Sequence, residues 1–192
     1  MERQAHGKKF ENAIRNFVGV EKQPYTAAFD MVYNNKEYSI KFIGEGNSVD
    51  CGSFKHIWKH CVNTVETGKS WYMILGRHIS KICTAIYEVE FTPEICKQVM
   101  GALPTEEVYL ICEIISPVYW EEGEHEEARE VAKQWKAEHK HLFGKISPTQ
   151  KIDSKKQRRM QCTFGKTLMD SLFGDYEVQS KTFKGFVGVD YG

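Results

Sequence analysis

Two short runs near the N-terminus alternate between hydrophobic and polar positions in the way that β-strands do. They occupy residues 29–33 and 38–42, and the connection between them begins with Asn34-Asn35. Asparagine tolerates the positive φ angles of a tight turn, so this pattern predicts an antiparallel β-hairpin.

The predicted hairpin brings candidate catalytic groups close together. Asp30 lies on its first strand, and Ser39 and Lys41 point to one face of the second strand because they are two residues apart. Facing residues on paired strands are about 5 Å apart, and the Ile40 carbonyl between Ser39 and Lys41 is an acceptable ligand for a hard cation such as Mg²⁺. Lys41 would then stabilise charge on a phosphate during phosphodiester cleavage. An ordinary charged surface hairpin is the alternative that the spacing leaves open.

Asp30 followed by Ser39-Ile40-Lys41 resembles the catalytic signature of the PD-(D/E)xK nuclease superfamily, best known from type II restriction endonucleases. Phe29 stands where the family name has proline, and Ser39 stands where most members carry an acidic residue. The resemblance implies an α/β fold of the restriction-endonuclease type, with a mixed central β-sheet flanked by helices. It also implies Mg²⁺-dependent hydrolysis that leaves 5′-phosphates, and a second metal-binding carboxylate recruited from elsewhere in the chain.

Three carboxylates could supply that second ligand. Glu11 lies in residues 7–18, where hydrophobic residues recur at helical spacing. Superfamily members similarly carry a glutamate on the helix before the hairpin, so the resemblance makes Glu11 the first choice for metal binding and catalysis. Glu45 lies between two glycines that would let the backbone approach a ligand. Asp50 precedes a predicted helix, and a turn or cap is its simpler role.

Residues 145–166 form a basic segment inside a chain whose formal net charge is zero. Its lysines and arginines are opposed only by Asp153, and such local charge attracts phosphates. Glutamine can pair with adenine and arginine with guanine in the major groove, so the mixture favours sequence readout, although a solvated basic loop or a nuclear-localisation-like cluster is the alternative. The candidate DNA-binding residues are Lys155, Lys156, Gln157, Arg158, Arg159 and Gln161.

Composition agrees with one compact enzyme. A chain of 192 residues that is 41% hydrophobic can bury a substantial core, so residues 1–192 are expected to form a single nuclease domain. The chain has no apolar run of the ~18 residues that cross a bilayer and no signal peptide, which predicts a cytoplasmic protein without membrane contact. The six cysteines form no C-x-x-C pair and are expected to be reduced and mostly buried, while zinc at His56, His60 and Cys61 is a weaker alternative.

The remaining pattern is mixed α/β. Helices are predicted at 53–65, 93–101 and 121–143, and strands at 71–75, 82–91 and 182–191. Residues 108–115 are predicted to form a strand, with a buried helix left open.

These features together predict a Mg²⁺-dependent, sequence-specific endonuclease of double-stranded DNA, similar to a type II restriction enzyme. Cleavage of both strands at a palindromic site needs two centres related by symmetry, so a homodimer is expected. Two alternatives remain: a structure-specific repair or resolvase-type nuclease, and a non-catalytic DNA-binding protein in which Ser39 marks a lost active site.

Overall fold

The computed structural model describes residues 5–24, 27–116, 124–152, 158–173 and 180–192. These residues form a mixed α/β structure with two sheets, which confirms the predicted α/β class. The helices are α1 (Ala5–Val18), α2 (Phe54–Thr67), α3 (Pro93–Met100), α4 (Thr105–Ile114), α5 (His125–His139) and α6 (Lys166–Phe173). The strands are β1 (Met31–Tyr33), β2 (Lys36–Gly44), β3 (Val49–Ser53), β4 (Trp71–Ile79), β5 (Ile82–Phe91), β6 (Ser147–Ile152) and β7 (Arg158–Phe164).

The chain divides into two compact units. The first unit comprises Met1–Val49, Ser70–Thr92 and Lys166–Gly192, and the second comprises Asp50–Lys69 and Pro93–Gly165. A single nuclease domain over residues 1–192 stays a prediction. The basic segment 145–166 belongs to the second unit, except for its last residue.

The first unit contains a four-stranded sheet in the order β1-β2-β4-β5. The β2–β4 pair is parallel, and the β1–β2 and β4–β5 pairs are antiparallel. On one side of this sheet, Phe10 and Ile14 of α1 form a buried core with Phe42 of β2. The rings of Phe10 and Phe42 stack at 4.5 Å, and a Cβ on Gly76 of β4 would lie 2.6 Å from Phe10 Cζ and 2.7 Å from Phe42 Cδ2. Only glycine at this position lets the two rings pack against the strand.

The predicted hairpin is present, but its bounds differ from the prediction. Asn34 and Asn35 have φ angles of 48° and 60°, and Tyr33 pairs directly with Lys36. Two consecutive residues with positive φ are typical of a type I′ turn. The connection therefore has two residues instead of four, and β2 begins at Lys36.

The second unit contains a three-stranded sheet in the order β3-β7-β6. Helix α2 begins after Ser53, whose hydroxyl oxygen accepts from the His56 N–H at 3.4 Å, and it ends at Gly68 with a φ of 73°. Near the end of α3 the backbone touches a distant segment, since a Cβ on Gly101 would lie 2.3 Å from the Gly144 nitrogen. Phe54 and Trp58 of α2 are buried in this unit, and their ring centroids lie 5.7 Å apart.

Three predicted elements differ in the structure. Residues 108–114 belong to α4 and not to a strand, and Ile115 caps this helix; Val108 and Ile111 are buried at helical spacing. The tail 182–191 forms a short 3₁₀-helix at Lys184–Phe186 and one bridge, Ile82 with Asp190, instead of a strand. The long helix predicted at 121–143 is α5 followed by a 3₁₀-helix at Lys140–Leu142, and residues 121–123 lie outside the described residues.

The cysteine prediction is confirmed. All six thiols are free, and every one except Cys112 is buried. None of the described helices combines the length and the apolar character that a membrane span requires.

Candidate active site

Asp30 is held against β2 just before β1 begins. Its backbone N–H donates to the Tyr38 carbonyl at 3.0 Å. Its Oδ2 accepts from the Ile40 N–H at 2.7 Å and from the Ser39 hydroxyl at 3.3 Å. If β1 extended further, one of its backbone carbonyls would accept the hydrogen bond from the Ile40 N–H. The Asp30 carboxylate takes the place of that carbonyl. The structure places Asp30 beside the Ser39-Ile40-Lys41 segment, as the hairpin pattern predicted.

The Ile40 carbonyl lies on the same edge of β2 as Asp30. In a β-strand, the N–H and C=O groups of one residue point toward the same neighbouring strand. Because the Ile40 N–H points to Asp30, its carbonyl also points to the β1 side and away from β4. This oxygen and the Asp30 carboxylate are therefore neighbours at one strand edge.

The two faces of β2 have different roles. Ile40 and Phe42 belong to the core that packs on α1. Ser39 and Lys41 alternate with them and lie on the opposite face, where Ser39 is buried and Lys41 is partly buried. The strand thus packs on α1 with Ile40 and Phe42 and carries Ser39 and Lys41 on its other face.

Glu11 of α1 belongs to the same neighbourhood. Burial raises the pKa of its carboxyl above the ordinary value of 4.5, and the negative charge of Asp30 raises it further. The positive charges of Arg15, Lys41 and Lys22 act in the opposite direction. Glu11 and Asp30 line one pocket and are therefore neighbours. Because the negative charge of Asp30 disfavours ionisation of Glu11, a divalent cation beside them would be favourable.

A pocket of about 260 Å³ opens beside the two carboxylates. Glu11 and Asp30 line it together with three cationic residues, Lys8, Arg15 and Lys22. Such a mixture of charges suits a phosphate group, because the cations can contact its oxygens while the carboxylates hold a metal ion.

Arg15 is a residue of this site that the sequence analysis missed. Its side chain is almost completely buried, at 3% exposure. Nη1 donates to Glu11 Oε1 at 2.7 Å, and Nη2 donates to Asn12 Oδ1. The four-residue spacing between Glu11 and Arg15 is the signal that could have identified the pair. No local pattern indicates Lys22, which follows the helix in a loop.

The other two candidate carboxylates have different local surroundings. Glu45 follows the end of β2, and its backbone N–H donates to the His78 carbonyl at 2.9 Å. At the rise of a β-strand, Glu45 lies about 16 Å along the chain direction from Ile40. Asp50 Oδ1 accepts from the Gly52 N–H at 2.9 Å, which is the turn role kept as its simpler explanation.

The candidate metal ligands are the Glu11 and Asp30 carboxylates and the Ile40 carbonyl. Mg²⁺ prefers such oxygen ligands, and the raised pKa of Glu11 fits a place for positive charge. Within the described ranges, no group of three or more His, Cys, Asp or Glu side chains could hold a metal ion. The zinc alternative at His56, His60 and Cys61 therefore has no support.

The candidate DNA-binding residues fall into two sets. Lys155, Lys156 and Gln157 lie outside the described residues. On β7, Arg158 is buried, whereas Arg159 is exposed. With its amide oriented toward Arg159, the Gln161 oxygen accepts from Nε at 3.2 Å and from Nη2 at 3.0 Å. Arg159 is thus the side chain of this described set that reaches solvent.

Helix α2 adds cations beside Arg159 that the sequence analysis did not find. The pKa of His56 is lowered by burial first, and then by the positive charges of Lys55, Lys59 and Arg159. These four residues form a cluster, here called the α2–β7 basic cluster. About a hundred residues of sequence separate Arg159 from the other three. No local pattern in the sequence could reveal their proximity.

Comparison of the chain with known protein families, with curated proteins and with solved structures gives no match. The function of the site is therefore inferred from its own geometry.

Proposed function

We propose that this protein is a Mg²⁺-dependent endonuclease of double-stranded DNA, with its catalytic centre in the first unit. The observation that carries the proposal is the bonding of the Asp30 carboxylate to the Ile40 N–H and the Ser39 hydroxyl. It fixes one carboxylate next to Ile40, in the pocket that Glu11 also lines, and carboxylate and carbonyl oxygens are ligands that Mg²⁺ uses in phosphodiester hydrolysis.

Each residue has a distinct role in the proposed centre. Asp30, Glu11 and the Ile40 carbonyl are the metal ligands. Bound Mg²⁺ would supply a more acidic water and a polarised phosphoryl oxygen, and the resemblance implies a 5′-phosphate product. The Lys41 ammonium would stabilise the negative charge that develops on the phosphate. Ser39 restrains Asp30, and Arg15 restrains Glu11 through their hydrogen bonds.

The mixed sheet of the first unit is compatible with a restriction-endonuclease-like fold. Its order β1-β2-β4-β5 combines one parallel pair with two antiparallel pairs, and α1 precedes the hairpin. That order of helix and hairpin matches what the Asp30, Ser39-Ile40-Lys41 resemblance implies. The fold assignment remains part of the proposal.

Charge in the second unit favours DNA as the substrate. The α2–β7 basic cluster carries exposed cations, and Gln161 and Arg159 are residue types that read bases in the major groove. We propose sequence-specific cleavage by a homodimer, because two symmetric centres match a palindromic site. Six free thiols suit a reducing compartment and support a cytoplasmic location.

Digestion of a panel of plasmids with Mg²⁺ tests the proposal. We expect discrete, reproducible fragments that disappear when EDTA replaces the metal. Cleavage confined to junctions or bulges would favour the structure-specific nuclease. Salt-sensitive DNA binding without cleavage under any divalent ion would favour the non-catalytic alternative, which the serine at position 39 keeps open.

A further inference from the structure

The β6–β7 ribbon of the second unit has two chemically different faces. Residues that pair directly across an antiparallel ladder lie on the same face, so the register shows the composition of each face. One face contains Pro148, Met160 and Cys162, which are all buried. Pro148 and Met160 also border a pocket with Ala132 of α5, so this face lies toward α5.

The opposite face of the ribbon is polar along its whole length. Its six residues form three directly opposed pairs, Ser147 with Thr163, Thr149 with Gln161 and Lys151 with Arg159. None of the six is acidic, and five of them are exposed or partly exposed. One solvated face is common in antiparallel sheets, so the charges on this face decide whether it fits a partner.

Two cations lie directly opposite each other on this polar face. Lys151 pairs with Arg159, and facing residues on paired strands are about 5 Å apart, where like charges are unfavourable. The α2–β7 basic cluster, to which Arg159 belongs, adds Lys55 and Lys59, which are exposed and lie one turn apart on α2. Phosphates would neutralise these charges, so this surface is complementary to the backbone of a nucleic acid.

Gln161 holds the Arg159 side chain in place on the ribbon. With its amide oriented toward Arg159, the Gln161 oxygen accepts from Nε at 3.2 Å and from Nη2 at 3.0 Å. This pair uses one edge of the guanidinium and leaves the Nη1–Nη2 end to contact another acceptor. Arginine contacts guanine in the major groove through two N–H groups of this kind. Because Gln161 is buried and Arg159 is exposed, Arg159 is the residue of the pair that can reach a base.

We propose that the polar face of the β6–β7 ribbon binds in the major groove of duplex DNA, an inference that rests on the proposed function. That groove is about 12 Å wide and admits a two-stranded β-ribbon. Arg159 contacts the edge of a guanine, and Gln161 is the positioning residue that orients it. Lys55 and Lys59 contact the phosphates beside the groove and carry no sequence information.

Selection of bound sequences from a random duplex library tests this mode of binding. The full chain is used in EDTA, so that binding is measured without cleavage. We expect the bound duplexes to share a short sequence with guanine at a fixed position, and replacement of that guanine should lower the affinity about tenfold or more. A bound pool without a shared sequence, or tighter binding of single-stranded RNA than of the duplex, would overturn the proposal.

Three substitutions separate base reading from phosphate contact. Arg159→Ala should abolish the preference for guanine at one position. Gln161→Met should lower the same preference without changing the salt dependence, whereas a merely structural role would weaken all sequences alike. Lys59→Ala should weaken binding to all sequences and lower the slope of log affinity against log salt concentration by about one.

Lys133→Ala is the matched control for the loss of one exposed cation. Lys133 lies on α5 and borders the pocket beside the other face of the ribbon. This variant should keep both the sequence preference and the salt dependence of the wild type. An unchanged guanine preference in Arg159→Ala, or an unchanged salt dependence in Lys59→Ala, would overturn the proposal.

Cleavage assays with the same variants distinguish this binding mode from the proposed function. If Mg²⁺ supports cleavage of plasmid DNA but the Arg159 and Lys59 substitutions leave binding unchanged, the ribbon is not the DNA-binding surface and the proposed function is unaffected. If binding depends on Arg159 and Lys59 but no divalent ion supports cleavage, the ribbon binds DNA and the catalytic proposal is wrong.

Discussion

The backbone N–H of Ile40 donates to Asp30 Oδ2 at 2.7 Å, at the position where the β1–β2 ladder ends. A strand edge normally leaves such an N–H to solvent or to another strand. Here the carboxylate accepts the bond, so its position is fixed by the hairpin before any metal or substrate binds. Catalytic groups require this kind of preorganisation, because small displacements reduce the rate strongly.

Substitution of Asp30 separates the catalytic role that we propose for it from its structural role. Asp30→Asn keeps an oxygen that can accept a hydrogen bond from the Ile40 N–H, so the variant should still fold. Its rate of DNA cleavage with Mg²⁺ should fall by about 100-fold or more. Asp30→Ala removes the acceptor as well, and the free energy of unfolding, measured with urea, should fall by about 1–3 kcal/mol. An Asp30→Asn variant that cleaves at the parental rate would exclude Asp30 as a metal ligand.

Lys41 should be essential for cleavage and dispensable for folding. We expect Lys41→Ala to lower the cleavage rate by about 10²–10³-fold, because it removes one charge that stabilises the transition state. Lys36→Ala is the matched control on the same strand, where Lys36 forms a partly exposed ion pair with Glu88 at 3.5 Å. If the two variants cleaved DNA equally fast, the role assigned to Lys41 would be wrong.

Glu11 and Glu45 compete for the role of second carboxylate, and one experiment distinguishes them. Glu11→Gln should raise the Mg²⁺ concentration needed for half-maximal cleavage by about tenfold or more, whereas Glu45→Gln should leave it unchanged. The reason is that Asp30 and Lys41 both act on Glu11, while Glu45 lies beyond the end of β2. The opposite result would assign the metal to Glu45.

The raised pKa of Glu11 predicts the pH dependence of metal binding. A carboxyl binds a cation only when it is ionised, so Mg²⁺ affinity should fall as the pH falls through the folded-state pKa, which lies above 4.5. Without bound metal, the contribution of Glu11 to folding stability changes with pH in the opposite direction. The folded state keeps the proton more tightly than the unfolded state, so the Glu11 contribution is present at low pH and is lost as the pH rises through the folded pKa.

Two measurements check these signs. Calorimetric titration with Mg²⁺ between pH 4.5 and 7 should show rising affinity, and Glu11→Gln should flatten the profile. Urea unfolding is measured in EDTA over the same pH range, which begins near the ordinary pKa of glutamate. The free energy of unfolding should fall with rising pH in the wild type, and Glu11→Gln should lose the part of this change that Glu11 causes. A wild-type affinity independent of pH would contradict the placement of Glu11 at the metal.

Two glycines of the first unit, Gly76 at the α1–sheet packing and Gly7 in an open part of α1, give a stability test with opposite signs. Gly76→Ala should destabilise the fold by about 1–3 kcal/mol, because its Cβ would lie within 2.7 Å of both Phe10 and Phe42. Gly7→Ala lies in α1, where a Cβ meets nothing within 4 Å, and should stabilise by about 0.5–1 kcal/mol. Both are measured by urea unfolding, and a stabilising Gly76→Ala would show that the core relaxes freely.

Local patterns in the sequence predicted the hairpin and the helix that frame the candidate site. Strand alternation and two asparagines determine the hairpin, and helical spacing of Phe10 and Ile14 determines α1. The prediction of a strand at 108–115 is wrong, because a short apolar run has the same composition in a buried helix and in a buried strand. Periodicity could not decide between the two.

The nonlocal contacts of the α2–β7 basic cluster could not be predicted from the sequence. Lys59 and Arg159 carry no local signal that links them, and only the packing of α2 near β7 brings their charges together. The pairing of Arg15 with Glu11 is different, because its spacing on one helix was visible in the sequence.

The two-residue turn at Asn34-Asn35 restricts how this protein can vary. Strand β2 is held by its parallel pairing with β4, so one inserted residue in the turn would shift β1 by one position relative to β2. Met31 would then leave the core, and the Asp30 side chain would turn away from Ile40. Relatives that keep the same activity should therefore conserve the length of this turn even where its residues differ.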